Sequence, residues 1–165
     1  TASFGQGFAL SPLATTRALS VLANGGTLPP PHVVKEVKYV NGDNDKTTNP
    51  VGRRVISTAA SEDITRMLVK VVDEALRGGT VKLPHYRVAA KTGTAQIANP
   101  GGGGYYTDQY LHSFFGYFPA YEPKFIVFFY IVKPQGVRYA SETLTTPFID
   151  TTKFLINYYD IPPDR

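Results

Sequence analysis

The sequence predicts an α+β fold in which an antiparallel sheet lies between helical layers. Two helical patterns precede a block of three strand-like segments, and one more helical pattern follows that block. The last strand-like segment, Phe125 to Val132, is apolar at nearly every position. Because a strand of this kind is usually covered on both faces, we expect helices on each side of the sheet.

Three segments have the spacing of amphipathic helices. Ser11 followed by Pro12 is typical of a helix start, and Asn24-Gly25-Gly26 ends that first pattern. The strongest pattern runs from Ile64 to Leu76, with an acidic start at Ser61-Glu62-Asp63 and a stop at Gly78-Gly79. Thr146-Pro147 begins the last helix, and Pro162-Pro163 ends it. Each helix has one apolar face for burial.

The strand predictions form a hairpin and a meander. Val33 to Val40, the turn Asn41-Gly42-Asp43, and Arg53 to Ile56 are interpreted as a hairpin. The meander consists of Arg87 to Gln96, His112 to Phe118 and Lys124 to Lys133. Between its first two strands we expect a glycine-rich loop over Ile97 to Gln109.

Composition restricts the possible functions only broadly. The 165 residues are 42% hydrophobic, which suits one domain or a piece of one. A formal net charge of +4 is spread along the chain, and no cysteine is available for disulfides or thiolate chemistry. The longest apolar run is far shorter than the roughly 20 residues of a membrane helix. The opening Thr1-Ala2-Ser3 reads as the middle of a turn, so we expect a fragment of a larger domain.

One short motif carries chemistry. Lys91-Thr92-Gly93 lies on the first predicted strand of the meander and continues as Thr94-Ala95-Gln96. A Lys-Thr-Gly triplet is common by chance, but this one lies on a predicted strand of small residues, after a helix that Gly78-Gly79 ends, and this context gives the match more weight. Glycine in such a strand allows another backbone to come close.

The flanking segments extend the match in order along the chain. Ser3-Phe4-Gly5-Gln6-Gly7 comes first, then Ser11-Pro12-Leu13, Pro31-His32-Val33-Val34, the Lys-Thr-Gly strand, and Phe114-Phe115-Gly116-Tyr117-Phe118-Pro119. Together they resemble the later half of the transpeptidase domain of class B penicillin-binding proteins. Ala90 is a departure, because the family commonly has glycine before the lysine.

The resemblance implies roles for five residues on one edge strand that forms a wall of the active site. Lys91 would supply positive charge, and the hydroxyls of Thr92 and Thr94 would hold the carboxylate of the incoming peptide or of penicillin. Gly93 would leave room for the substrate backbone. Thr94 would also provide an oxyanion-hole N–H, and Gln96 is assigned to substrate binding.

The nucleophile is missing from the sequence. Family members need Ser-x-x-Lys and Ser-x-Asn, and no serine of this chain has lysine at the third following position or asparagine at the second. Because acyl transfer needs a nucleophile beside its base, we expect the chain alone to be inactive. The opposite wall of the cleft would come from a missing N-terminal part of the same domain.

Other kinds of site are not supported. Gly5-Gln6-Gly7 is an incomplete dinucleotide fingerprint. His32, His85 and His112 are scattered, so we expect ordinary strand and loop histidines and no metal. Tyr105, Tyr106 and Tyr110 lack a basic stripe, which favours a solvent-facing loop over a nucleic-acid site. No cofactor is expected.

We therefore predict the C-terminal part of a peptidoglycan D,D-transpeptidase. Its parent would act on stem peptides through an acyl-enzyme, bind β-lactams, and face the cell wall from a membrane anchor. The alternatives are a β-lactamase or D,D-carboxypeptidase relative, and a transpeptidase-like domain that only binds wall peptides or proteins. Uncovered strands and helices would make the isolated fragment self-associate.

Overall fold

The computed structural model describes residue 2 and residues 5–7, 9–46 and 51–165. Ser3 and Phe4, which belong to the first flanking segment above, lie outside the described residues. The helices and strands, in chain order, are α1 (Pro12–Ala23), β1 (Thr27–Leu28), β2 (Glu36–Lys38), β3 (Asn44–Lys46), β4 (Arg53–Arg54), α2 (Thr58–Lys70), β5 (Ala89–Ala98), β6 (Tyr105–Phe118), β7 (Phe125–Val132), α3 (Ala140–Thr143) and α4 (Thr145–Tyr158).

The predicted meander is confirmed. β5, β6 and β7 form an antiparallel sheet in that order. In its register Thr92 lies opposite Phe114, which in turn lies opposite Phe129. β5 and β7 are therefore the two edges of this sheet within the described part of the chain.

The sheet has a core on each face, which confirms the α+β arrangement with helical layers. On the α4 side, Ala90, Phe114 and Phe118 pack with Phe148 and Ile156 of α4. The rings of Phe114 and Phe148 stack at 4.4 Å between centroids. On the α2 side, Ala89 and Tyr117 pack with Leu68 and Val69. Alternate residues of β5 and β6 thus enter different cores, as the pleat of a strand requires.

The helix predictions hold, with corrected boundaries. The Ser11 side chain accepts a hydrogen bond from the Ala14 amide at 3.2 Å, so it caps α1 as expected. α2 begins earlier than the acidic triplet at 61–63, because the Ser57 hydroxyl accepts from the Ala60 amide at 3.1 Å. Beyond α2 the chain continues as one π-helical turn, Val71–Ala75, and a 3₁₀ turn, Leu76–Gly79.

The predicted apolar face of α2 is wrong at Met67. This side chain is 66% exposed, whereas Leu68, Val72 and Leu76 are buried. Polar Thr65 is buried in its place on the inner face. Its hydroxyl lies 2.7 Å from that of Tyr117, and this bond satisfies two polar atoms inside the α2-side core.

The hairpin has a different partner from the one predicted. β2 pairs with β3, while Arg53–Arg54 pairs with Thr27–Leu28. The turn explains the difference, because Tyr39 donates its amide to the Asp43 carbonyl at 2.9 Å. A turn this tight returns the chain at once, so the residues directly after it become the partner strand.

Two strand boundaries also differ from the prediction. The glycine-rich loop is shorter than 97–109, because β6 already begins at Tyr105. Tyr105, Tyr106 and Tyr110 are half-buried strand residues, so the solvent-facing loop predicted for them is wrong. β7 contacts both cores, through Val127 and Phe129 on the α4 side and Ile126 on the α2 side, but none of its eight residues is fully buried. Its position at the sheet edge leaves one long side open.

An ion pair fastens the end of the described chain to the helical layer. Arg165 donates from Nη2 to Oδ1 of Asp73 at 2.9 Å and to the Leu83 carbonyl at 2.8 Å. Burial raises the pKa of Asp73, but the hydrogen bond and charge of Arg165, with help from Lys82, outweigh burial and hold it below its usual range. The charged form of Asp73 is therefore the one that the fold favours.

Candidate active site

The Lys-Thr-Gly motif lies on the open edge of the sheet. β5 pairs only with β6 in the described residues, so its other side is free of strand partners. Lys91 and Thr94 are exposed, and Thr92, Gly93 and Gln96 are half-buried. The five predicted site residues are thus close together on one accessible strand.

The two faces of β5 divide these residues. Lys91 and Gly93 continue the face of Ala89, which packs on the α2 side. Thr92, Thr94 and Gln96 continue the face of Ala90, which packs on the α4 side. A ligand that contacts Lys91 and the threonine hydroxyls together must therefore lie along the strand edge.

Lys91 and Gly93 have local partners. Lys91 donates from Nζ to the Thr92 carbonyl at 2.8 Å, which turns the ammonium group along the strand. A Cβ at position 93 would lie 2.6 Å from the Ser113 hydroxyl oxygen. Any larger residue there would displace the Ser113 hydroxyl.

Thr94 is held from the α4 side. Its hydroxyl oxygen accepts a hydrogen bond from the Ala140 amide, the first residue of α3, at 3.0 Å. This bond joins positions 46 residues apart in sequence. The residues after β7 give no signal of it, so sequence reasoning missed Ala140.

His112 is the second residue that sequence reasoning undervalued. It lies directly opposite Thr94 on β6 and is fully buried. Its two ring nitrogens lie 2.9 Å from the Thr143 hydroxyl and 2.9 Å from the Arg138 carbonyl. An ordinary loop or strand histidine was expected; only the register of β5 against β6 reveals its place behind the motif.

A cleft lies beside the end of the sheet where Gln96 pairs with Tyr110. Its volume is about 540 Å³, and it is lined by residues 107–110 of β6 and by residues 133–138 of the segment between β7 and α3. Lys133 and Arg138 give it two cations, and Asp108 gives it an anion. No group of three histidine, cysteine or acidic residues able to hold a metal ion occurs in the described chain.

The family is decided by comparison with known sequences. The model of the penicillin-binding protein transpeptidase domain matches residues 1–152. The chain belongs to this family. A search among the described residues finds no helix long and apolar enough to cross a membrane.

Related sequences agree with the assignment to penicillin-binding proteins. Stage V sporulation protein D of Bacillus subtilis is 34% identical over 151 residues, which cover 90% of this chain and 23% of that protein. Penicillin-binding protein PbpB of Mycobacterium tuberculosis is 33% identical over 129 residues, 74% of this chain and 19% of that protein. The chain therefore spans less than a quarter of these relatives.

Solved structures show the same fold. Penicillin-binding protein 3 of Mycobacterium tuberculosis in its apo form superposes with a TM-score of 0.83 at 28% identity, over 98% of this chain and 38% of that one. Its complex with aztreonam gives a TM-score of 0.82. The helices and antiparallel sheet described above are thus those of a penicillin-binding transpeptidase domain.

Proposed function

We propose that residues 1–165 form the C-terminal portion of a peptidoglycan D,D-transpeptidase domain and supply one wall of its active site. The observation that carries this proposal is the Lys91-to-Thr94 segment, with Lys91 and Thr94 exposed, on a sheet edge that has no strand partner in the described residues. Relatives are named peptidoglycan D,D-transpeptidase, among them the FtsI homolog of Mesostigma viride, 29% identical over 174 residues.

In this proposal the nucleophile comes from polypeptide outside residues 1–165. That polypeptide would bring an activated serine to the open side of β5, where it attacks a peptide carbonyl of the stem peptide, breaks the C–N bond with release of the amine, and forms an acyl-enzyme. The absence of Ser-x-x-Lys and Ser-x-Asn from the sequence supports this division of labour. The same reasoning makes the isolated chain inactive toward peptides and β-lactams.

Each strand residue then has a chemical task. The ammonium group of Lys91 attracts the substrate carboxylate, and the hydroxyls of Thr92 and Thr94 donate hydrogen bonds to it. Gly93 admits the substrate backbone, Gln96 contacts the substrate further along the strand, and the Thr94 N–H stabilises the oxyanion. Water screens an exposed ammonium, so Lys91 becomes effective once the opposite wall excludes solvent.

The proposed place of action is the outer face of the cytoplasmic membrane of a bacterium. Peptidoglycan stem peptides and β-lactams are the expected ligands, and the rest of the domain is the expected partner. No nucleic acid and no cofactor has a part in this chemistry.

The test uses the complete polypeptide that carries this chain. We expect Lys91→Ala to lower the second-order rate of acylation by fluorescent penicillin by about 10²-fold, and Thr94→Val by about tenfold, since each removes a charge-assisted contact to the carboxylate. Lys124→Ala and Thr80→Val are the matched controls at exposed positions away from β5. Equal rates in Lys91→Ala and the unmodified protein would refute the assigned role.

A further inference from the structure

His112 forms a buried polar cluster directly behind the motif strand. It is 0% exposed, lies on β6, and pairs in register with Thr94. A buried imidazole must find partners for both ring nitrogens, because an unsatisfied polar atom costs free energy. The two partners it finds determine what this ring does.

The hydrogen positions follow from the partners. The Arg138 carbonyl, 2.9 Å from Nε2, is only an acceptor, so Nε2 carries the hydrogen. In the neutral ring Nδ1 is then the acceptor, and the Thr143 hydroxyl at 2.9 Å donates to it. The competing contact from that hydroxyl to the Ala140 carbonyl is longer, at 3.3 Å.

These two bonds hold both ends of α3. Arg138 lies just before this four-residue helix, and Thr143 is its last residue. Between them is Ala140, whose amide donates to the Thr94 hydroxyl oxygen at 3.0 Å. Since that donor occupies one lone pair of the oxygen, the hydroxyl hydrogen of Thr94 points away from the Ala140 amide and can be donated to another group.

We propose that His112 is a positioning residue, which clamps α3 to the sheet so that the Ala140 amide orients the Thr94 hydroxyl as a hydrogen-bond donor to a substrate carboxylate. The proposal rests on the proposed function, in which Thr94 binds that carboxylate. If His112 only satisfied its own buried nitrogens, its loss would lower stability without changing the orientation of Thr94.

Substitutions at Thr143 and His112 test separately the two hydrogen bonds of the His112 ring, to the Thr143 hydroxyl and to the Arg138 carbonyl. Thr143→Val keeps the side-chain shape but removes the hydroxyl that bonds Nδ1. His112→Gln extends an amide toward the Arg138 carbonyl and likewise loses the Thr143 bond, whereas His112→Asn retains an amide atom near the position of Nδ1. Thr151→Val, at a half-buried threonine of α4, is the matched control.

The measurements are made on the complete polypeptide that carries this chain, without ligand. Hydrogen–deuterium exchange follows the segment that contains Ala140, and methyl NMR follows the side-chain rotamer of Thr94. We expect Thr143→Val and His112→Gln each to accelerate hydrogen exchange of that segment by about tenfold. In both variants the Thr94 side chain should exchange among several rotamers instead of keeping one. The double variant should add little, because both changes break the same bond. His112→Asn should restore much of the protection, and Thr151→Val should change neither signal.

Unchanged exchange and an unchanged Thr94 rotamer in Thr143→Val would overturn the proposal, even if the His112 variants fail to fold. Acylation by penicillin is measured separately on the same proteins. If the unmodified protein is not acylated, the proposed function fails while the coupling of His112 to Thr94 is still decided. If it is acylated, His112→Gln should raise the penicillin concentration at half-maximal rate more than it lowers the limiting rate.

Discussion

Gly116 illustrates how closely the sheet and α4 approach each other. A Cβ at this position would lie 2.7 Å from the Ala90 Cβ and 2.9 Å from the Ala89 carbonyl oxygen, and it would also strike the Phe148 ring. Backbone and a fully buried ring cannot move aside cheaply. The glycine is thus required by space rather than by backbone conformation.

We expect Gly116→Ala to destabilise the chain by about 1–3 kcal/mol through overpacking. Chemical denaturation compared with the unmodified chain measures this loss. Gly101→Ala is the control, since its new Cβ would meet only the Asn99 side-chain oxygen, at 3.3 Å. A stability loss as large in Gly101→Ala would show that the crowding at Gly116 is not the cause.

Tyr117 gives a prediction for alkaline pH. Burial raises the pKa of its phenol above the usual value, and this outweighs the opposing effect of its hydrogen bond with Thr65. Because the folded state favours the protonated phenol, this contribution to stability is complete below about pH 10 and is lost as the pH rises through the folded-state pKa.

The free energy of unfolding should therefore fall above about pH 10, and Tyr117→Phe should make that fall shallower. At neutral pH the same substitution should cost about 1 kcal/mol, since Thr65 keeps the Ser61 carbonyl as an acceptor at 2.9 Å. Urea titrations from pH 8 to 11 give both numbers. Tyr158→Phe, at a 68% exposed position that does not act on the Tyr117 phenol, is the control. An identical alkaline slope in Tyr117→Phe would exclude this phenol as its origin.

At the scale of elements, β7 combines an edge without a strand partner in the described residues with exposed apolar side chains. It pairs only with β6 in the described residues, and Tyr130 and Val132 are 48% and 54% exposed. An unpaired apolar strand edge recruits other strands. Self-association of the chain through this edge accordingly stays a prediction.

We expect Tyr130→Lys to reduce self-association, because a charged side chain on an edge strand opposes further pairing. Sedimentation velocity at several concentrations measures the effect. Tyr121→Lys makes the same substitution at similar exposure, 51%, in the turn before β7. If both variants associate as the unmodified chain does, or if the unmodified chain stays monomeric, the edge is not the contact.

Sequence reasoning succeeded where the signal is local. Ser11 and Pro12 mark a helix start through their own chemistry, and the apolar spacing of α2 and α4 places both beside a sheet. It failed at the start of α2, which we predicted at Ser61-Glu62-Asp63. Ser57 caps this helix, and the Ser61 hydroxyl instead donates to the Leu22 carbonyl, at 2.7 Å.

The residues of the candidate site likewise fall into those that a local motif predicts and those that sequence reasoning missed. Lys91 to Thr94 stands out as a contiguous motif on a strand, and the structure leaves that strand at an accessible edge. The support for Thr94 comes from Ala140 and His112, which are distant in sequence and have no motif of their own. Contacts of this kind depend on strand register, which periodicity does not determine.

At the scale of the whole molecule, we propose that the chain is one side of an active site whose nucleophile lies in other polypeptide. Residues 1–152 match the transpeptidase-domain family, yet no serine of the chain has the required lysine or asparagine neighbour. We therefore expect opposite behaviour toward penicillin from the chain by itself and from the complete polypeptide that carries it.

The most direct test is covalent labelling by fluorescent penicillin, followed by intact mass spectrometry and peptide mapping. The 165-residue chain and the complete polypeptide are treated side by side. We expect no adduct on the chain, and one equivalent on the complete polypeptide at a serine outside residues 1–165. A stoichiometric adduct on any serine within residues 1–165 would contradict the central claim.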